Sequence, residues 1–438
     1  MKIVLKKVRK KTPFTWLDPI KVEPLELAYL KAVLDDLELD SVIIDPLYHP
    51  ERVEGDIVIL NGYNTARDQL MLEAKQLKTR SPETIVIGSG VDVQVNWECY
   101  MQSECDYLVV SNRLGDFKNL IEHIVFKKQI VFRGVLPLKD VALCMACDAI
   151  TTFENIEPSR TYFDAIKHQT RYLLYENVAL VKRSHGCPYG CAFCFCKQLN
   201  QGHYVSRSYD ALRDEMANIR ADYFWVVDDV FMRHAEDAKA FISSFKEAPF
   251  KLIVYLRADF IVKHAALMSA LKESGIIEVI IGFESIKASA LESFHKGYTP
   301  DINTEAIAVL REAGLSFTAL FMVDITDDHY DFKALKQYIR KQALVNYTFS
   351  IFTPLKGTDL YSAYETAITD FKCDHYDFLH LVLRPLKMHP VAFKIAFVRL
   401  FVFQFFHSKG ARQLIAKVLR DGLKNKIPHR LMRRNKRG

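Results

Sequence analysis

Four of the nine cysteines of this 438-residue chain, Cys187, Cys191, Cys194 and Cys196, fall within ten residues. Thiolates are the soft ligands that iron–sulfur clusters require. In the segment Ser184-His185-Gly186-Cys187-Pro188-Tyr189-Gly190-Cys191-Ala192-Phe193-Cys194, three thiols within eight residues can wrap one iron–sulfur cube. A fourth iron would then lack a protein ligand and could chelate a small molecule. Gly186 and Gly190 are expected to let the loop turn around the cube. A zinc knuckle or an isolated structural cluster uses the same residue types. Cys196 is expected outside the ligand set, as a small hydrophobe, because a fourth thiolate would close the open iron. Cys144 and Cys147 have the spacing of an auxiliary metal or redox pair, but no second pair matches it, and coincidence is the simpler expectation. The chain is too large, and its cysteine number too odd, for a disulfide-stapled module.

These residues must be held by regular elements, and the hydrophobic pattern supplies them. Before residue 125, short apolar runs (from Lys2, Val42, Ile57, Ile85 and Tyr107) alternate with helical spacing over 23–37, 65–79 and 117–124. All-apolar strands separated by helices imply a parallel sheet covered on both faces. The expectation is an α/β doubly wound, flavodoxin-like domain over 1–128. Residues 129–176 read as an irregular connector. Six strand–helix units follow, with strands at 178–181, 223–227, 252–256, 278–281, 317–323 and 347–352. They predict a partial (β/α)6 barrel over 177–366, with chemistry at the C-terminal strand ends. Residues 367–438 read as a helical C-terminal region. Its apolar run 390–406 is shorter than the ~20 residues a membrane span needs and contains Lys394 and Arg399, so a buried or interfacial helix is expected.

The cysteine spacing with an aromatic at Phe193 resembles the radical S-adenosylmethionine (SAM) superfamily. Other segments resemble that family in order and spacing across 177–364: Trp225-Val226-Val227-Asp228-Asp229, Leu256-Arg257-Ala258-Asp259, Ile281-Gly282-Phe283-Glu284-Ser285 and Phe352-Thr353-Pro354-Leu355-Lys356-Gly357-Thr358. Lys356 stands where relatives have a second proline. The resemblance implies a [4Fe–4S] cluster on Cys187, Cys191 and Cys194, with SAM on the open iron cleaved to a 5′-deoxyadenosyl radical. It also implies a SAM site. Asp228 or Asp229 would accept from the ammonium and Arg257 would pair with the carboxylate. Glu284 and Ser285 would bind the ribose, the backbone near Phe193 would meet adenine, and Thr353 would belong to the same site. Asp259 as a helix N-cap and Arg257 as a rim ion pair are the structural alternatives.

A doubly wound domain ahead of such a barrel resembles the cobalamin-dependent (class B) radical SAM enzymes. The segment from Glu23 and Pro24 resembles their first helix. Asn61, Gly62, Thr65, Gly88 and Gly90 fall where relatives line the corrin. The Asp-x-His-x-x-Gly motif, whose histidine ligates cobalt in many cobalamin proteins, is absent, and His49 has the wrong spacing to replace it. The expected activity is cobalamin-dependent methyl transfer to an unactivated carbon. The alternatives are a radical rearrangement or cyclisation without cobalamin, and a non-enzymatic iron–sulfur sensor or electron carrier. Expected partners are a small-molecule, lipid-like or peptide substrate and an electron donor such as flavodoxin or ferredoxin.

The net charge of +6 is concentrated at one end. Beyond Ser408, Lys and Arg recur to Arg437 and Asp421 is the only acid. Such a tail suits an anionic surface or a solvated terminus. No apolar leader follows Met1, and the expectation is a cytoplasmic protein, with peripheral membrane association as the alternative.

Overall fold

In a computed structural model, which describes residues 1–10, 18–48, 53–139, 144–145 and 148–426, two parallel sheets dominate the chain. The first runs in the order Ser41–Ile44, Ile3–Lys7, Ile57–Asn61, Ile85–Ser89, Tyr107–Val109, Val135–Pro137. Its first five strands are parallel and follow the 2-1-3-4-5 order of a flavodoxin-like domain. Val135–Pro137 closes the edge antiparallel to Tyr107–Val109, so this sheet extends past 128 into the segment expected to be a connector. The strand alternation explains the covering on both faces. Ile3, Leu5, Ile57 and Ile59 pack with Leu27, Leu34 and Phe117 on one side. Val4, Val58 and Leu60 pack with Leu70, Ala74 and Tyr100 on the other.

The second sheet runs Val178–Val181, Tyr223–Val226, Leu252–Tyr255, Ile276–Glu284, Ser316–Val323, Asn346–Ile351, every pair parallel and in chain order. This is the open six-stranded barrel that the sequence predicts. One continuous core fills it, with Phe224, Phe241, Phe283, Phe321 and Phe349 among its buried rings. The helices Ala235–Phe245, Pro300–Glu312 and His329–Lys341 follow its second, fourth and fifth strands. The last begins on Asp328, whose side chain accepts from the amides of Tyr330 and Asp331.

The expectation of a wholly helical end is corrected. Residues 368–389 carry only the 3-10 turn Cys373–His375 and a bridge between Ile368 and Leu383. The helices Pro390–His407 and Lys409–Lys426 come after it. Pro385 lies in that stretch and Pro390 at the first turn of a helix, positions that tolerate a residue without an N–H.

The two sheets face each other across their C-terminal strand ends, and a buried ionic network fixes the approach. Glu23, at the start of the helix Leu25–Asp36, accepts from Arg160 (2.7 Å) and from the backbone of Leu180 in the first barrel strand (3.0 Å). Arg160 reaches on to Glu215 at 2.6 Å, and Glu215 also pairs with Arg207. Burial pushes the Glu23 carboxyl up, against the lowering effect of Arg160 and the Leu180 amide. Removing the shared cation would leave two buried carboxylates facing each other. Arg160→Met is therefore expected to lower stability by about 3–5 kcal/mol, read as a shift in the urea unfolding midpoint. An unchanged midpoint would show that the network does not join the two sheets.

Candidate active site

The cysteine loop leaves the first barrel strand at Val181 and begins under a buried carboxylate. Asp228, at the end of the second strand, accepts from the amides of Arg183 (2.7 Å) and Ser184 (3.1 Å) through Oδ1. Burial pushes its carboxyl up to about 6, opposed by those same hydrogen bonds. Its Oδ2 is buried with no hydrogen-bond partner. Gly186 then turns the chain at φ +78°, where a Cβ would lie 2.0 Å from the His203 carbonyl oxygen. Only glycine fits there. Gly190, expected to play the same part, does not: its φ is ordinary and nothing stands within 4 Å of a Cβ built on it.

Two backbone bonds tie the middle of the loop down. The Ala192 amide donates to Phe294 (3.0 Å), and the Ala192 carbonyl accepts from Leu360 (3.1 Å). Phe193 packs edge-on against Phe294. The three thiols thereby share one neighbourhood. The charges of Cys191 and Cys194 are felt at Cys187, whose thiol burial pushes up to about 11. Among the described residues, no group of three or more His, Cys, Asp or Glu side chains gathers tightly enough to hold a single ion. A cuboidal cluster asks less, because its thiolates bind separate irons.

Cys196 opens the short helix Cys196–Leu199 and its thiol hydrogen-bonds Cys194 and Asp229. That bond holds Cys194 below the usual thiol range and, with burial, pushes Cys196 well above it. A thiol that gives its hydrogen to a neighbouring sulfur supports that sulfur as an anion. Two cations complete the surround. Arg257 lies 3.7 Å from the Cys191 sulfur and 4.0 Å from the Tyr189 ring centre. Lys296 is buried and bonds Glu284 at 2.9 Å. Burial works against the Lys296 charge, but Glu284 outweighs it and its pKa is raised. The donor set and its cationic flank fit a thiolate-bound cluster, whose net charge is negative.

The remaining residues expected at the SAM site separate into two groups. Asp229 faces an open cavity, whereas Glu284, the last residue of the fourth strand, and Ser285 after it do not line that cavity; Glu284 is held by Lys296 and Ser285 Oγ accepts from the Lys287 amide (3.1 Å). Glu284 holds a left-handed backbone, φ +57°, next to a break in strand register at Gly282. Such a conformation in a non-glycine residue is uncommon and concentrates at functional positions. The other group is engaged within the barrel rim and strands. Arg257 makes a two-pronged pair with Asp259 (2.9 and 3.0 Å) and donates to the Lys296 carbonyl (2.8 Å). This is the rim ion pair that the sequence offered as the structural alternative. Thr353 is buried and donates to Ile351. Asp228 is committed to the strand amides.

Between the sheets lie two neighbouring cavities. The smaller, about 390 Å3, is walled by Lys7, Asn61, Ser89, Gly90 and Ser111 from the first domain and by His185, Gly186 and Asp229 from the barrel. The larger, about 760 Å3, is walled by Thr65, Arg67, Asp92, Phe195, Leu355 and Phe371 among others. They share Tyr63 and Val91. Among the expected corrin contacts, Asn61 and Gly90 reach the smaller cavity and Thr65 the larger. Gly62 and Gly88 line neither, and a Cβ on Gly88 would meet Leu108 at 2.8 Å. Gly88 is a packing glycine within the sheet. Sequence reasoning missed Asp92, which is buried and accepts from both Arg67 nitrogens (2.8 and 2.7 Å), Asn96 and Tyr100. Its only signal was an acid directly after the turn at Gly90. His49 and Cys147 lie outside the described residues, as does the side chain of Cys144.

A family profile described as "Radical SAM superfamily" matches residues 181–338. The bacteriochlorophyllide d C-8(2)-methyltransferase of Chlorobaculum tepidum is 25% identical over 50% of this chain and 52% of its own length. The hopanoid C-3 methylase of Methylococcus capsulatus is 23% identical over 52% of this chain and 45% of its own. The chain thus spans about half the length of these curated relatives. In fold it is similar to the radical S-adenosylmethionine methyltransferase TsrM of Kitasatospora setae, solved with cobalamin and a [4Fe–4S] cluster, at a TM-score of 0.63 and 16% identity. That likeness covers 90% of this chain and 85% of that one.

The raised Asp228 carboxyl gives a testable pH dependence. Its folded pKa of about 6 exceeds an ordinary unfolded value, so the native state holds the extra proton between about pH 4 and 6. Stability therefore falls as pH rises through that window and stays lower above it. Asp228→Asn keeps the Oδ1 acceptor without the charge. Urea midpoints are expected to show wild type losing about 2–3 kcal/mol across that window that the variant retains. A parallel slope in both proteins would remove Asp228 as the cause.

Proposed function

We propose that this chain, which carries a radical SAM domain, cleaves S-adenosylmethionine reductively at a [4Fe–4S] cluster on Cys187, Cys191 and Cys194 and methylates an unactivated carbon with the help of cobalamin. The observation that carries the proposal is the smaller cavity. It joins the strand ends of a flavodoxin-like sheet to those of a radical barrel, and the cysteine loop contributes Gly186 to its wall. When bound, the cluster supplies one electron to the sulfonium of SAM, and cobalamin supplies a methyl group.

The chain's own residues prepare both sites. Cys196 supports the Cys194 thiolate, and Arg257 and Lys296 offset negative charge beside the loop. Asp229, facing the cavity while Asp228 is tied to the strands, is the carboxylate placed to accept from the SAM ammonium. Glu284 and Ser285 offer acceptors for ribose hydroxyls. Asn61, Ser89, Gly90 and Ser111 present a polar wall of strand ends to the corrin, the usual ligand position of an open parallel sheet. Lys7 fixes that wall by donating to Asn61 at 2.7 Å while lying 3.7 Å from the Tyr63 ring centre. A flavodoxin- or ferredoxin-type donor would provide the electron.

The larger cavity suits the substrate. Tyr361, Phe371, Tyr376 and Phe378 give it aromatic walls, which favour an extended apolar molecule over a charged one. The relatives named for bacteriochlorophyllide and hopanoid methylation support that class of substrate.

Anaerobic reconstitution tests the proposal. Wild type and Cys196→Ala are expected to bind the cluster and, with reductant, to release 5′-deoxyadenosine from SAM. Cys187→Ala is expected to lose both iron and product. Cobalamin is expected to remain with wild type through gel filtration. An intact cluster without 5′-deoxyadenosine would favour an electron carrier, and full SAM cleavage without retained cobalamin would favour a radical rearrangement. Iron loss in Cys196→Ala alone would overturn the ligand set.

A further inference from the structure

The helix Pro390–His407 is apolar on two opposite faces, and the barrel covers one of them. Phe393, Phe397, Leu400 and Phe403 are buried against the barrel core. On the far side Val391, Ile395, Val398, Val402 and Phe405 recur at three- and four-residue spacing and are 38–59% exposed. Only 22% of the helix is buried, although it is apolar enough by composition for a membrane span. A soluble helix normally turns charged residues outward on its second face. Here Lys394 and Arg399, both exposed, flank the apolar stripe instead. The next helix, Lys409–Lys426, extends the pattern: Ile415 and Leu419 are 42% and 45% exposed and Arg412 and Arg420 stand beside them. Between Phe378 and Arg420 the sequence contains no Asp or Glu.

We infer that this face docks on an anionic lipid surface, lying in the plane of one leaflet. The stripe would enter the headgroup–acyl boundary, and the flanking Lys and Arg would extend along it to lipid phosphates. The charge pattern selects this occupant. A second copy of the chain would bring two rows of cations together with no acid to pair them. Crossing the bilayer is disfavoured by the four side chains that hold the other face to the barrel. The basic run that continues through Arg437 adds attraction of the same sign.

Flotation of the full-length protein with vesicles tests this without reference to activity. It is expected to float with phosphatidylcholine–phosphatidylglycerol vesicles and not with phosphatidylcholine alone, and high salt is expected to release it. Val398→Glu with Val402→Glu, both pointing to solvent, is expected to weaken binding at least tenfold, roughly the effect of losing two apolar anchors. Lys394→Gln with Arg399→Gln is expected to weaken it about fivefold per charge. Circular dichroism of each variant confirms an unchanged fold. Wild type that stays unbound would overturn the inference. So would flotation unchanged by the two glutamates, which would assign binding to the tail, or stripe-dependent dimers formed without lipid.

Discussion

A single buried carboxylate decides where the cysteine loop begins. Asp228 takes the amides of Arg183 and Ser184 as the first barrel strand ends, and Gly186 turns the chain immediately afterwards. Without that anchor, two free amides at a strand end would seek water, and the loop would start from a variable position. The cost of the anchor is visible in Asp228 itself, whose charge is disfavoured by burial and whose second oxygen has no partner. Burying an incompletely paired charge is unfavourable, so it persists where surrounding structure requires it. The three thiols inherit their mutual placement from this point. The Ala192 bonds to Phe294 and Leu360 then hold the loop's middle to the fourth- and sixth-strand segments.

The same logic extends to charge. A thiolate-bound cluster is anionic, and a barrel mouth built only of acids and carbonyls would repel it. Arg257, just past the third strand, and Lys296, past the helix Ala288–Ser293 that follows the fourth, answer this, each held by a carboxylate of its own, Asp259 and Glu284. Each cation is held by its paired carboxylate, so little reorganisation is needed when a ligand binds. The arrangement also fixes Arg257 in place at the barrel rim. Its nitrogens are used up by Asp259, the Lys296 carbonyl and the edge of Cys191.

The strands and the cysteine set were legible in the sequence because both leave local signatures. Short apolar runs such as 57–60, rich in β-branched residues and closed by Asn61-Gly62, fit doubly covered strands, and thiols at short spacing have few structural uses. Gly186 was legible for its turn, whereas Gly190 had the same identity without the same backbone need. What stayed hidden depends on partners distant in sequence. Nothing near Arg257 distinguishes a rim ion pair from a cofactor clamp, because either requires an exposed-looking Arg at a strand end. Asp92 reads as one acid among many until Arg67 and Tyr100 are folded onto it. Gly88 looked like a ligand-facing glycine, but its missing side chain makes room for Leu108. The stretch 368–389 misled for another reason. Its aromatic content is helical in composition, while its shape is set by packing Leu381, Val382 and Leu383 into the barrel core.

The cavities follow from topology more than from any one residue. Parallel strands deliver their C-terminal ends, with loose backbone amides and carbonyls, to one edge. When two such sheets turn those edges together, the space left between them is lined both by strand-end polar groups and by aromatic side chains. The Glu23–Arg160–Glu215 network sets the width of that gap, since it ties the first helix of one domain to the first strand and helix of the other. A change in that network would alter the cavity before it altered either core. The spacing between the two sheets is therefore a functional dimension of the molecule, and Glu23, which helps to set it, also lines the smaller cavity.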